Sequence, residues 1–329
     1  MNRLIKPDGR IDFGIIDNPI DSVNYKDFNL ESPMGRKKSG LAKILGFNQF
    51  NFIGIMGPDF MAGLAVVDLK YLSNGFFYIY NRQTNDLVET KKLAPPFSAF
   101  VGTNPSRMDS RFSFSNLKIS IEGNRITARG KDISLEAVLD LDNVNPLRIC
   151  TRAGYRGWVY TEKTSPVPLS GQIRCHETTW DLTTPGTMAL VDWSAGFMRR
   201  NTYWNWAASA SVLNDGRTIG INLASGVNET GFTENAVWID NTMIKIDTVN
   251  FIFEPDNLMA TWQIRSFDGK INLEFKPENK REEKTNAMVL ASRFTQLMGC
   301  FQGTLTTDSG EIIHITDLPG YTEDHYAKW

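Results

Sequence analysis

Three side chains able to move a proton stand out by their neighbours: Asp192, Glu323 and His325. Asp192 precedes Trp193 in DWSAG. Burial beside that indole would raise the carboxyl pKa and make Asp192 a general acid, whereas a turn aspartate would cap backbone amides instead. Glu323 and His325 are two residues apart in EDHYAKW, on one face if the chain is extended, where a carboxylate can orient an imidazole as a base. The alternative is a plain terminal strand held by Tyr326 and Trp329. Glu229 and Glu234, in GVNETGFTEN, would be a carboxylate pair for acid/base work or two residues of a solvated loop.

The stretch Asp192 to Ser209, DWSAGFMRRNTYWNWAAS, holds three of the chain's eight Trp and reads as a strand with both faces occupied. One parity carries Met198, Arg200, Thr202, Trp204, Trp206 and Ala208. The other carries Phe197, Arg199, Asn201, Tyr203, Asn205 and Ala207. Amides, a phenol and a guanidinium on one face call for a wet cavity or for solvent, because each buried unpaired polar group costs about 1–3 kcal/mol. The next strand-like run, TIGINLASG, sets Ile219, Ile221 and Leu223 against Thr218, Gly220, Asn222 and Ala224. Small residues beside polar ones leave the room a ligand pocket needs. Trp204 and Trp206, or Tyr203 from the other face, would supply apolar contact. Asn205 and Asn222 would add hydrogen bonds, and Arg199 or Arg200 would anchor an anionic head group.

Most familiar motifs are missing. HETTW at 176–180 begins like a zinc-protease helix but has Trp180 where the second His belongs, and His176, His314 and His325 are the only histidines. GxGxxG, Walker and GxSxG patterns are absent, so neither a metal nor a cofactor is expected. With 35 basic and 37 acidic residues the net charge is −2, which offers no pull towards nucleic acid or an anionic membrane. A 41% hydrophobic, 22% charged composition fits a soluble globular protein with a sizeable core. No apolar run is long enough for a membrane span and MNRLIKPDGRIDFG lacks a secretory core, so a cytoplasmic location is expected. Cys150, Cys175 and Cys300 are widely spaced free thiols, expected as buried small residues of strands.

The elements that must position these groups are strands. Apart from one short helix expected within 34–47, from Leu41, Ile44 and Leu45, the chain alternates in runs of four to ten residues. Turn signals such as Ser73-Asn74-Gly75, EGNR, RGKD and Asp240-Asn241 separate them. LAPPFSAFVGTNPSRMDS at 93–110 reads as a long connection and KPENKREEKTN at 276–286 as a solvated loop of mixed sign. Eight or nine strands per half suit an antiparallel sandwich or a small closed barrel.

Several segments in order, DWSAGFMRRNTYWNWAAS, DGRTIGINLASGVNETGFTENAVWID, TWQIRSFDGKINLEFKP, QLMGCFQGTL and LPGYTEDHYAKW, resemble the bacterial domain-of-unknown-function family 2804 (DUF2804). The first half is similar more loosely, through FMAGLAVVDLKYLSNGFFYIYN. The pattern also resembles, more distantly, the calycin-like double barrels that include carotenoid hydratases and cyclases. That resemblance implies an all-β protein of two lipocalin-like antiparallel barrels in tandem, residues 1–145 and 146–329, with the candidate pocket in the second. No catalytic residue carries over from it. The functional expectation is binding of a largely apolar small molecule of lipid or isoprenoid type. The alternative is a cofactor-free hydratase, isomerase or cyclase, and the two differ in whether a titratable group with a shifted pKa is buried in the pocket.

Overall fold

The computed structural model describes residues 1–227, 231–286 and 291–328. Strand makes up 60% of the chain and helix 4%, so the all-β class holds, and the antiparallel sheets are curled in a half-barrel. The first sheet has eight strands in the order Gly14–Ile15, Leu147–Ala153, Gly157–Val167, Met188–Gly196, Asn48–Met56, Phe60–Asp68, Ser73–Asn81 and Asp86–Ala94. The second has seven: Thr178–Asp181, Leu169–Cys175, Ile133–Leu139, Arg125–Arg129, Leu117–Glu122, Ser110–Phe114 and Ala99–Val101. The third has nine: Thr242–Lys245, Ala236–Ile239, Thr218–Ser225, Asn201–Val212, Ile312–Lys328, Ala291–Thr306, Ile271–Asn286, Trp262–Ser266 and Val249–Ile252.

Residue patterns explain the layering. Leu117–Glu122 and Arg125–Arg129 alternate strictly between buried and exposed, so the second sheet has one dry face. Asn48–Met56 and Phe60–Asp68 are buried on both parities, so the first sheet is covered on both faces. Ile53, Ile55, Leu64, Val66, Phe77 and Ile79 meet Phe112, Ile119 and Ile126 of the second sheet. The opposite parity, with Phe52, Met56, Met61, Tyr78 and Tyr80, meets Trp206, Ala208, Met298 and Tyr321 of the third. The third sheet curls round a further core that includes Ala207, Ile221, Trp262, Phe275 and Phe301.

The chain enters the third sheet between Gly196 and Asn201, whereas around the expected 145/146 boundary it passes from the second sheet back to the first. Leu147–Ala153, Gly157–Val167 and Met188–Gly196 return to the first sheet, pairing onto Asn48–Met56 through the last of them. Their inward residues, among them Cys150, Trp158, Tyr160 and Val191, complete its core. The expected helix is Gly40–Leu45, N-capped by Ser39, which accepts a hydrogen bond from the Ala42 amide, but it buries no side chain. The 93–110 connection carries the strand Ala99–Val101 and the start of Ser110–Phe114. KPENKREEKTN is not a loop: it lies in Ile271–Asn286, with Arg281 buried between exposed Lys280 and Glu282. A charged run conceals a strand when its inward charge has partners inside. Asp240 and Asn241 both take positive φ, as a two-residue hairpin turn requires.

Gly220 does not leave room for a ligand. A Cβ on Gly220 would lie 2.5 Å from the Ser165 carbonyl carbon, so the backbone of Gly157–Val167 occupies that space. Gly220→Ala therefore forces the two sheets apart locally and is expected to cost about 1–3 kcal/mol in denaturant unfolding. A variant as stable as the parent would show that the contact is slack.

Candidate active site

A cavity of about 170 Å³ lies between the first and third sheets. The first sheet contributes Phe50, Phe52, Val67, Phe76, Lys163 and Asp192. The third contributes Thr202, Trp204, Trp206, Phe294, Glu323 and His325, with Met198, Arg199 and Glu234 closing the ends. Register explains the gathering, since Trp204 pairs with His325 and Trp206 with Glu323, so alternate residues of two neighbouring strands face one way. A larger concavity, about 710 Å³, lies on the outer face of the second sheet beside Lys118 and Arg129. None of its lining groups is buried and titratable, in contrast to the smaller cavity.

Six ionisable groups, Lys163, Asp192, Arg199, Glu234, Glu323 and His325, line this largely aromatic space. The Lys163 ammonium donates to Asp192 Oδ2 at 2.5 Å and lies 4.0 Å from Glu234 Oε1. Burial works against that ammonium, but the Asp192 and Glu234 carboxylates outweigh it and hold its pKa above the usual lysine value. Ser194 Oγ donates to Asp192 Oδ1 at 3.1 Å. Burial raises the Glu234 pKa against the opposing pull of Lys163. Glu323 accepts from Trp204 Nε1 at 3.1 Å and from Gln296 Nε2 at 2.8 Å. Burial nevertheless dominates and, with the charge of Asp192 adding to it, pushes Glu323 up to about 7.

His325 is held by its rings and by one hydrogen bond. It sits 4.1 Å from the Trp204 ring centroid and 4.8 Å from that of Phe294, and its Nε2 is 3.1 Å from Ser292 Oγ. Nδ1 is buried without a partner. Burial, and then the Arg281 guanidinium, push the imidazole down to about 3, so it is neutral at ordinary pH. Arg281 is itself tied to Glu89 and spread over Phe76 at 4.0 Å.

The expected residues divide clearly. Asp192, Glu323, His325, Arg199, Trp204 and Trp206 all line the cavity. Asp192 faces an ammonium, so it is not the lone buried carboxyl expected of a general acid. Glu323 does not orient His325: both of its oxygens are engaged elsewhere, and the imidazole turns to Ser292. Arg199 spends Nη2 on the carbonyls of Gly226 and Val227 rather than standing ready for an anion. Arg200 is exposed and outside the cavity, and Tyr203 is 64% exposed on the outer face of its strand. Asn205 bonds to Asp324 and the Glu323 carbonyl on that outer side. Asn222 is buried behind the wall, accepting from Trp206 Nε1 and donating to the Glu234 carbonyl, and so positions both. Glu229 and Trp329 lie outside the described residues. His176 is exposed in a turn, and no cluster among the described residues is spaced for a metal ion.

Lys163, Arg281 and Gln296 went unnoticed in the sequence. A lysine inside GWVYTEKTSPV, a run otherwise suited to full burial, was the one signal available.

A carboxyl whose folded pKa is raised lends stability below its unfolded pKa and loses it as pH rises through the folded value. The margin of wild type over Glu323→Leu in urea unfolding is therefore expected to shrink by about 2 kcal/mol between about pH 5 and about pH 8. A margin independent of pH would show that Glu323 is ionised throughout.

Solved structures of similar fold are known. A protein provisionally named AttH from Nitrosomonas europaea aligns over 86% of this chain and 92% of its own, with TM-score 0.50 and 12% identity. Kievitone hydratase from Nectria haematococca aligns over 86% and 88%, with TM-score 0.51 and 9% identity. At these identities the likeness concerns the fold alone. No curated protein matches the sequence. The family model for the domain of unknown function DUF2804 matches residues 1–329, and the chain belongs to that family.

Proposed function

We propose that this protein is an acid/base enzyme that binds a largely apolar, unsaturated small molecule and adds water to it or isomerises it, with Glu323 as the proton donor. The observation that carries this reading is a carboxyl with a pKa of about 7 buried among Trp204, Trp206 and Gln296. A carrier has no need of such a group, which makes the enzyme reading the better of the two. Binding of the apolar molecule is retained as the first step. A fold shared with a protein named as a hydratase agrees with it. The curl of the sheets, and the third sheet's own core, support the finer picture of two lipocalin-like barrels in tandem.

In the hydration direction, neutral Glu323 gives its proton to one alkene carbon. A C–H bond forms, the π pair is used, and positive charge develops on the neighbouring carbon. The faces of Trp204, Trp206 and Phe52 stabilise that charge. A water then forms the C–O bond, and its proton passes to Asp192 or Glu234. Return of that proton to Glu323 restores the site. In isomerisation the same carboxylates remove a proton from carbon instead of from water. Lys163 keeps Asp192 poised as the acceptor.

The test is carbon-bound deuterium uptake by a panel of prenyl alcohols and unsaturated fatty acids in deuterium oxide. Uptake is expected to fall about a hundredfold or more in Glu323→Gln. It should also decline in wild type as pH rises through the Glu323 value of about 7, where the acid form is lost. Ligand binding without any uptake would point to a carrier.

A further inference from the structure

A second cavity of about 130 Å³ adjoins the first. Val67, Phe76, Phe294 and His325 line both, and so form a shared wall. The far chamber is bounded mainly by apolar groups such as Leu69, Leu72, Leu93 and Ala327, with Asn74, Glu283, Thr285 and Ser292 also on its boundary and Arg281 covered by rings and already paired to Glu89. Neither chamber alone reaches the roughly 300 Å³ at which small-molecule sites begin, whereas the two joined do. The wall is also where the fold leaves a polar atom unmet, His325 Nδ1.

We propose that the two chambers are one bipartite site for an uncharged amphiphile, whose hydroxyl end lies with Lys163 and Asp192 and whose elongated hydrocarbon tail passes the His325 wall into the far chamber. This deepens the proposed function by naming the substrate class, and it rests on that reading only for the reaction itself. An uncharged head follows from the electrostatics. The Lys163 charge is already met by two carboxylates, so a ligand carboxylate placed beside it would add an unmatched negative charge. An apolar tail follows from the far lining. The imidazole must turn aside to let the tail pass. Nothing else in the wall is polar.

The experiment is titration of the full chain with isopentenol, geraniol, farnesol and farnesoic acid, followed by Trp fluorescence. Wild-type affinity is expected to rise with chain length, and farnesol to bind better than its acid. Leu93→Trp, at a half-exposed rim position, and Ala327→Phe fill the far chamber; each is expected to weaken farnesol about tenfold while leaving isopentenol within about twofold. Should Ala327→Phe fail to fold, Leu93→Trp carries the test alone. Affinities that do not grow with length, variants that titrate like wild type, tighter binding of the acid, or no binding at all would each overturn the proposal. A length-dependent profile without deuterium uptake would uphold the bipartite site and remove the proton-transfer reading instead.

Discussion

One ammonium set among three carboxyl groups governs the centre of this protein. Lys163 touches Asp192 and lies near Glu234, and Glu323 is close enough for the charge of Asp192 to act on it. In a space walled by aromatic rings, Lys163 does not stand alone against three carboxyl groups: Arg199 lines the same cavity and Lys245 lowers the Glu234 pKa. Arg281, paired with Glu89, still lowers the Glu323 pKa but does not overcome its burial. Burial tips the balance, because carboxyl groups held away from water favour their protonated forms. The raised pKa values of Glu234 and Glu323 are the form this takes, and a proton held back from water next to π-faces is a proton available for chemistry.

The layering exists to make such a space. A first sheet buried on both faces can hold one ordinary hydrophobic core against the second sheet and present its other face to the third. The third sheet closes over it through fitted contacts. The Tyr321 hydroxyl reaches the carbonyls of Ile55 and Ala62, Arg82 pairs with Glu278, and Ser165 donates to the Ser209 carbonyl. Where large side chains interlock the interface is dry, and where charged ones meet it opens into the cavity.

Much of this was legible in the chain. Alternation and turn chemistry declare the all-β class, and the ordered segments from DWSAG to DHYAKW declare the family. The parity of Trp204 and Trp206 separates their face from that of Tyr203, though only the packed sheets say which face turns inward. What stayed hidden had a common cause. Lys163 and Arg281 are charges at inward positions, and residue type alone assigns a charge to solvent. Arg281 made a strand look like a loop, and Lys163 turned the expected general acid Asp192 into an ion-paired carboxylate. Gly220 misled in the opposite sense: a small residue was read as vacancy when it marks the tight approach of another backbone. The return of Leu147–Ala153, Gly157–Val167 and Met188–Gly196 to the first sheet was not legible, because pairing at that distance leaves no local trace.

The cavity is owned by neither sheet. The ammonium and its first carboxylate stand on strands of one layer, while the proton-bearing carboxyl, the imidazole and the indoles stand on strands of the other. Donor and acceptor are therefore mounted like the two jaws of a vice, and their spacing is set by how the layers seat rather than by any residue at the site. A remote substitution that slides one layer by a fraction of an ångström would retune the proposed reaction with every lining side chain intact. Such a protein can diverge in specificity through its seams while its chemical inventory stays constant.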